Sequence, residues 1–334
     1  MTKHSPIATP DQPQDSGRSL LERAAQAYAF DDIFRASAPA PAPAPAESAP
    51  QIVTQPAPAP VAPAETVAPE TDMQPVSAMP VYAPVWDGPV ESVDTISLAE
   101  QGYIVPGGSV TAMSEEFRIV KRQLLRNVAD IRGKSATKAH RILIGSALPG
   151  EGKTFCAVNL ALSMAAEQDM DVLLVDADFG KPSVLKALGL ERDGFVRAGL
   201  MDALLDPSID VEGLVIRTDV PNLSVLPAGR AVNNDTEILA SASTVKVLDA
   251  LSTGHGERII LFDSPPALAA SPAAALASHV GQLLIIVRAD QTSENALRDA
   301  VGLLSGCETI QLLLNGVKFS TSGRRFGSYY GKGA

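Results

Sequence analysis

The chain has 334 residues, a formal net charge of −11 and a sequence pI near 4.9, so no nucleic-acid partner is expected because phosphate backbones require a basic surface. Its two cysteines, Cys156 and Cys307, lack the spacing of a metal site or a disulfide framework, which favours a reducing compartment. No apolar run reaches the ~18 residues that cross a bilayer, and the polar N-terminus lacks a signal core, so the sequence predicts a cytoplasmic protein.

The first third of the chain does not have the composition of a folded core. Within residues 1–36, a capping box at 19–22 precedes apolar residues that share one helical face, which predicts a short amphipathic helix. This helix either docks on a partner or frays in isolation. Residues 37–109 contain repeated Ala-Pro pairs, and proline at this density predicts a disordered, semi-rigid linker.

Residues 110–320 have the pattern of an α/β domain. A helix is expected to begin with Ser114 as its N-cap, followed by Glu115 and Glu116 in the first turn. Downstream, apolar strands alternate with helical segments, which predicts a doubly wound, mostly parallel sheet flanked by helices. The predicted strands are 142–144, 172–175, 223–226, 259–262, 283–287 and 311–314, and the predicted helices are 154–168, 235–252, 273–279 and 293–305.

A Walker A sequence follows the first of these strands. From Ala147 to Thr154 it reads Ala-Leu-Pro-Gly-Glu-Gly-Lys-Thr, with Ala147 in place of the usual first glycine. Glycines let backbone amides surround a phosphate, Lys153 supplies a cation, and the Thr154 hydroxyl can ligate Mg²⁺. The predicted nucleotide-binding residues are Pro149, Gly150, Glu151, Gly152, Lys153, Thr154, Phe155 and Asn315. The motif therefore predicts a P-loop NTPase fold with ATP and Mg²⁺ as cofactors.

Three carboxylates follow predicted strands at the edge where open α/β sheets bind ligands. Asp176 and Asp178 come after the second strand, and their spacing by two points both the same way. One can bind Mg²⁺ while the other accepts a proton from an attacking hydroxyl, although a solvated turn has the same pattern. Asp263 ends the strand at 259–262 and has the position of a Walker B carboxylate.

The last predicted strand is followed by Asn315. Its amide is a candidate for binding adenine, and a loop-capping role is the alternative.

These motifs together resemble the bacterial tyrosine kinases of capsule and exopolysaccharide loci, and the similarity covers residues 110–334. The Walker A motif at 146–154, Val-Asp-Ala-Asp at 175–178 and Asp-Ser-Pro-Pro at 263–266 carry the resemblance. The subgroup most similar is the autokinases encoded with exosortase-linked (PEP-CTERM) exopolysaccharide genes. The resemblance implies that Lys153 and Thr154 hold phosphate and Mg²⁺, that Asp176 is the catalytic base, and that Asp178 and Asp263 assist the metal.

The same resemblance implies a homo-oligomer. Glu115, Arg118 and Lys121 match the family's Glu-x-x-Arg-x-x-Arg element, which joins subunits in a ring, although lysine lacks the bidentate fork of the final arginine. Gly180 is a second departure, because many members have a basic residue there, and Lys181 is then the nearest cation.

A Gly-rich tail at 321–334 contains Tyr329 and Tyr330, which the resemblance implies are autophosphorylated. Packing or fraying of this aromatic pair is the alternative. Because the chain has no spanning segment, the resemblance also implies a separate activator, a membrane polysaccharide co-polymerase or chain-length determinant that recruits this protein to the inner face of the inner membrane.

Two other functions remain open. The deviant Walker ATPases of the ParA/MinD type share this sheet but need a lysine five residues before the Walker lysine, where this chain has Leu148. A nucleotide-gated scaffold that switches the co-polymerase without phosphorylating protein is the non-enzymatic alternative, motivated by Gly180 and the two-tyrosine tail.

Overall fold

A β-sheet positions the P-loop and the acidic residues that the sequence singles out. The computed structural model describes residues 89–191, 196–253 and 258–317. The predicted N-terminal helix, the linker up to residue 88 and the tail at 321–334 lie outside the described residues.

Eight strands form one sheet in the described part of the chain. They are β1 (Val90–Glu91), β2 (Arg141–Ser146), β3 (Val172–Asp176), β4 (Ile216–Thr218), β5 (Leu223–Leu226), β6 (Ile259–Asp263), β7 (Gln282–Arg288) and β8 (Thr309–Asn315). Their order is β1-β4-β5-β3-β6-β2-β7-β8, and only β4 and β5 pair antiparallel. The predicted mostly parallel P-loop fold is confirmed, and all the predicted strands are present.

Helices cover both faces of this sheet. They are α1 (Thr95–Glu100), α2 (Ala112–Arg132), α3 (Ala136–Ala139), α4 (Lys153–Ala165), α5 (Val184–Ala187), α6 (Leu200–Leu205), α7 (Asp235–Leu239), α8 (Ala242–Ser252), α9 (Pro272–Ala277) and α10 (Glu294–Leu303). One apolar core lies against α2 and α4, and the other lies against α6, α8 and α9.

Residues of the central strands alternate between these two cores. In β3, Leu174 belongs to the α4 side and Val175 to the opposite side; in β6, Leu261 and Phe262 divide in the same way. Successive side chains of a strand point to opposite faces, so a strand buried on both faces must be apolar throughout. By the same alternation, the carboxylate that ends each of these strands is on the α4 side.

The N-terminus of α2 differs from the prediction. Thr111, not Ser114, is the N-cap: its Oγ1 accepts from Ser114 N at 3.1 Å, and Ser114 Oγ accepts from Thr111 N at 2.9 Å. Ser114 is thus the third helical residue of a reciprocal capping box, a position at which serine substitutes for the more usual acid or amide. The prediction placed the cap at the wrong end of this pair.

The predicted helix at 235–252 is two helices, α7 and α8. Ser241 lies between them with φ −77° and ψ 159°, which is extended backbone. The Thr244 hydroxyl donates to Ile238 O at 2.9 Å, so the Ser- and Thr-rich junction supplies side-chain bonds that compete with a continuous helix.

Residues 89–109, predicted to be linker, pack on the domain. β1 pairs with β4, α1 follows it, and Val93 and Leu98 are buried in the α4-side core. Asp94 caps α1 by accepting from Ile96 N and Ser97 N. The predicted boundary at residue 110 is therefore too late for this stretch, because the pairing of β1 with β4 and two buried side chains hold it to the domain.

Candidate functional site

The P-loop connects β2 to α4 and has the backbone shape that its glycines permit. Gly150 and Gly152 have φ of 80° and 95°, in the left-handed region. A Cβ on Gly152 would also lie 2.2 Å from the Asn315 side-chain nitrogen. Glycine at 152 is therefore required twice, by its backbone conformation and by the close approach of Asn315.

The buried Glu151 side chain stabilises this loop through hydrogen bonds. Its side chain is buried, and its Oε2 accepts from Leu148 N at 2.7 Å while Oε1 accepts from the Thr292 hydroxyl. Asn315 Nδ2 donates to the backbone oxygen of Glu151 at 2.9 Å. The hydrogen bonds of the Glu151 carboxylate and of the Asn315 amide therefore hold the P-loop backbone in its conformation. No motif in the sequence points to Thr292.

Thr154 and Asp263 meet at the start of α4. The Thr154 hydroxyl donates to Asp263 Oδ2 at 2.6 Å and lies 2.9 Å from Ser183 Oγ. Asp263 is fully buried, and among the described residues its Oδ1 has no hydrogen-bond partner. Burial raises the pKa of Asp263 to about 7, although the Thr154 hydroxyl acts in the opposite direction.

Asp176 lies directly beside Asp263, because the two residues are partners in the register of β3 and β6. Its Oδ2 accepts from Ser183 N at 2.8 Å and Val184 N at 2.9 Å, and its Oδ1 accepts from Asp178 N at 3.2 Å. Burial raises the pKa of Asp176 to about 6, while the three backbone donors lower it. Asp176 also lines a cavity of about 200 Å³.

Asp178 is the more accessible carboxylate of the pair. Its Oδ1 accepts from Lys181 N at 3.0 Å. Burial raises the pKa of Asp178, and the backbone bond to Lys181 and the charge of Lys153 lower it. Burial also lowers the pKa of Lys153, against the attraction of Asp263, Asp178 and Glu151. The Walker lysine therefore lies among acidic groups in a partly desolvated site.

The residues present fit a hydrated Mg²⁺ beside a nucleotide. The unpartnered buried oxygen of Asp263 and the hydroxyl of Thr154 are hard oxygen donors, and Asp178 is close enough to Lys153 to act on its charge. Across the described ranges, no group of three or more His, Cys, Asp or Glu side chains could cage a metal. Mg²⁺ does not need such a cage, since it usually takes one or two protein ligands with waters and phosphates.

Known proteins resemble this chain in sequence and in fold. A family model described as an AAA domain matches residues 140–316. The tyrosine-protein kinase YwqD of Bacillus subtilis is 31% identical over 220 residues, which cover 65% of this chain and 86% of YwqD. The solved BceF tyrosine kinase domain has a TM-score of 0.51 at 25% identity, covering 67% of this chain and 91% of that domain.

The chain belongs to the bacterial tyrosine kinase family. The putative tyrosine-protein kinase EpsB of Ralstonia nicotianae is 30% identical over 193 residues, and the matched part covers 57% of this chain but 25% of EpsB. The matched part is therefore most of YwqD but only about a quarter of EpsB.

The three α2 residues predicted to contact another subunit differ in their exposure. Arg118 is exposed and pairs with Glu115 on the same helix. Lys121 is buried: its Nζ donates to Ser163 O at 2.6 Å and lies 2.6 Å from Glu167 Oε1. This differs from the expectation that Lys121 reaches a second subunit, because its charge is used to hold α2 against α4.

The remaining residues of interest are Gly180, Ser183 and the two tyrosines of the tail. A side chain at Gly180 would meet only Asp178 Oδ1, at 3.8 Å, so glycine is not required there by space. Ser183, which sequence reasoning did not select, donates its N–H to Asp176 and places its hydroxyl beside Thr154. Tyr329 and Tyr330 lie outside the described residues. Among the described residues, no helix is both long and apolar enough to cross a bilayer.

Proposed function

We propose that this chain transfers the γ-phosphate of ATP, bound with Mg²⁺, to protein tyrosine, including Tyr329 and Tyr330 of its own tail. The observation that carries the proposal is the meeting of Asp176, Asp263 and the Walker Thr154 at one edge of the sheet, with a cavity beside Asp176. Two carboxylates in different environments suit two roles, one at a metal and one at a proton.

The contacts of each group support the following roles. Lys153 and the loop amides would bind the phosphates, and Thr154 and Asp263 would hold Mg²⁺, with Asp178 beside them. Mg²⁺ supplies charge neutralisation to the phosphates when bound. Asp176 accepts the proton of the acceptor hydroxyl as the new oxygen–phosphorus bond forms and the bond to ADP breaks. The backbone N–H groups of Ser183 and Val184 hold the Asp176 carboxylate in place.

The cellular role is proposed from the family resemblance. The kinase regulates exopolysaccharide polymerisation or export, with a membrane co-polymerase as a separate activator that recruits it to the inner face of the inner membrane. The chain forms a homo-oligomer through Glu115 and Arg118, and tail phosphorylation adds about −1.5 to −2 charges per tyrosine, which loosens the assembly.

Intact-mass and tryptic mass spectrometry test the activity. The wild-type chain, co-expressed with its membrane activator, is compared with Lys153→Ala and with the double variant Tyr329→Phe/Tyr330→Phe. We expect phosphate on Tyr329 or Tyr330 in the wild type and none in Lys153→Ala. Unmodified tyrosines in a wild-type chain that binds ATP would refute the kinase proposal.

A nucleotide-gated scaffold is the second candidate, and the observation that favours it is Gly180. The space at this position accepts a Cβ, yet the basic residue of many family members is missing. A Gly180→Lys variant that acquires tyrosine phosphorylation absent from the wild type would favour the scaffold. The ParA/MinD-type ATPase has less support, because Leu148 offers no cation to a partner subunit.

A further inference from the structure

The cavity beside Asp176 has the size and lining for a single aromatic side chain. Its volume of about 200 Å³ lies below the ~300–1,000 Å³ of most small-molecule sites, so it does not suit a whole nucleotide. Asp176 supplies a buried carboxylate, and the apolar walls are Pro182, Leu185, Pro227 and Ala228. Charged side chains at exposed positions also line the cavity, namely Lys186 and Glu191. Apolar walls with one buried acceptor match the ring and hydroxyl of tyrosine.

One wall of the cavity includes Arg197, which is held by the N-terminal strand. Arg197 Nη1 and Nη2 donate to Glu91 Oε1 and Oε2 at 2.6 and 2.7 Å, and both side chains are mostly buried. A bidentate pair with this geometry fixes the guanidinium plane as well as its position. Arg197 therefore has little freedom to leave the wall.

The residues that follow β1 are anchored on two sides. Asp219 Oδ1 accepts from Val93 N at 2.9 Å, and Asp219 Oδ2 accepts from Ser92 Oγ at 2.6 Å. Asp94 N donates to Leu188 O at 3.1 Å, just after α5, whose first residues bond to Asp176. Gly189 has φ 70°, and a Cβ there would lie 2.5 Å from the Asp94 Cβ. Residues 91–94 thus contact both Arg197 and the end of α5.

We infer that Arg197, held by Glu91, is a positioning residue of an acceptor subsite that this cavity forms for an aromatic hydroxyl side chain. The inference rests on the proposed function and adds a residue pair to it. Arg197 sets the width of the subsite by fixing its wall, so the tyrosine hydroxyl reaches Asp176 only when the pair is intact. Phosphate transfer itself proceeds as described above, with the hydroxyl proton passing to Asp176.

Steady-state kinetics of the full-length chain with MgATP test this role. The acceptors are a random glutamate–tyrosine copolymer and a synthetic peptide of residues 321–334. We expect Arg197→Ala and Glu91→Ala to raise the acceptor KM roughly tenfold, because small misplacements in a site have large kinetic effects, and to change the ATP KM less than about twofold. The reversed pair Glu91→Arg/Arg197→Glu should recover most of the loss.

Matched variants separate positioning from general damage. Arg298→Ala removes a guanidinium from an exposed ion pair on α10 and should leave the acceptor KM unchanged. Val196→Trp narrows the cavity from an exposed position and should raise the acceptor KM, whereas Val245→Trp on exposed α8 surface should not. An acceptor KM that stays constant in Arg197→Ala and Val196→Trp, or that changes together with the ATP KM, overturns the inference.

A peptide-binding measurement separates failure of the kinase activity from failure of the acceptor subsite. If the wild type transfers no phosphate to either acceptor, binding of the 321–334 peptide is measured by calorimetry with a non-hydrolysable ATP analogue and Mg²⁺. Peptide binding that Arg197→Ala and Val196→Trp weaken supports the subsite without the kinase activity. Peptide binding that these variants leave intact, or no peptide binding by the wild type, overturns the subsite.

Discussion

Replacing Asp263 by asparagine should stabilise the protein in the absence of nucleotide and metal. Asp263 is buried at the end of β6, and within the described residues its Oδ1 has no hydrogen-bond partner. A buried unsatisfied polar group costs about 1–3 kcal/mol, and more when it is charged. Asp263→Asn removes the charge and keeps the shape, so we expect the free energy of unfolding to rise by about 1–3 kcal/mol at pH 8.

The pH dependence has a definite sign. Burial raises the pKa of Asp263 from 3.8 to about 7, so the folded chain binds this proton more tightly than the unfolded chain. The stability that this group contributes is present below pH 4 and is lost as pH rises toward 7 and above. The advantage of Asp263→Asn should therefore be smallest near pH 4 and largest above pH 7.

Thermal melting in EDTA from pH 5 to pH 8 measures the effect. At roughly 2–4 °C per kcal/mol for a domain of this size, the variant should melt about 2–12 °C higher at pH 8. Asp299→Asn, an exposed carboxylate on α10, is the control and should shift stability by less than about 0.5 kcal/mol. MgATP should stabilise the wild type but not Asp263→Asn. A variant that melts at or below the wild-type temperature in EDTA at pH 8 would show that this carboxylate is compensated in the folded chain.

Three further substitutions test other contacts. Gly152→Ala should lower the free energy of unfolding by about 1–3 kcal/mol and weaken the binding of an ATP analogue more than about tenfold. The substitution combines backbone strain at positive φ with a clash between the new Cβ and the Asn315 side chain. Thermal melting and calorimetry measure the two effects, and unchanged binding would contradict the loop geometry. Arg258→Met should cost about 1.5–3 kcal/mol in urea unfolding, because it removes the buried guanidinium that donates to Asp171 Oδ2 and Glu212 Oε1. A loss under about 0.5 kcal/mol would count against these two ion pairs. Lys121→Met should lower the free energy of unfolding of the monomer by about 1–3 kcal/mol. Arg118→Ala should change that free energy by less than about 0.5 kcal/mol and alter only the sedimentation of the oligomer. The reverse pattern would show that Lys121, and not Arg118, acts at a subunit interface.

The sheet and the centre of the site could be predicted because their signals are local. Six strands are short apolar runs, and the Walker A glycines, Asp176 and Asp263 directly follow such runs. Because the carboxyl ends of parallel strands meet at one edge, these residues had to lie near one another once the fold was known. Burial and register then explain why Asp263 carries a raised pKa, which no local pattern indicates.

The missed features depend on contacts between distant segments. β1 has two residues and follows a Pro-rich stretch, so its pairing with β4 leaves no periodic signal. Thr292 contacts Glu151 across 141 positions, and Arg197 contacts Glu91 across 106. The family resemblance implies an interface role for Lys121, but its buried position on α2, where it contacts Ser163 and Glu167, is not visible in that motif.

The alternation of β3 and β6 between two cores has a consequence for how the site can fail. The register that pairs Asp176 with Asp263 also divides Leu174 and Val175 between opposite faces of the sheet. A slip of one residue in β3 would exchange those faces and turn Asp176 away from the α4 side, where Asp263 and Thr154 lie. The register of the central strands is therefore a condition for assembling the two acids, as well as for packing the two cores.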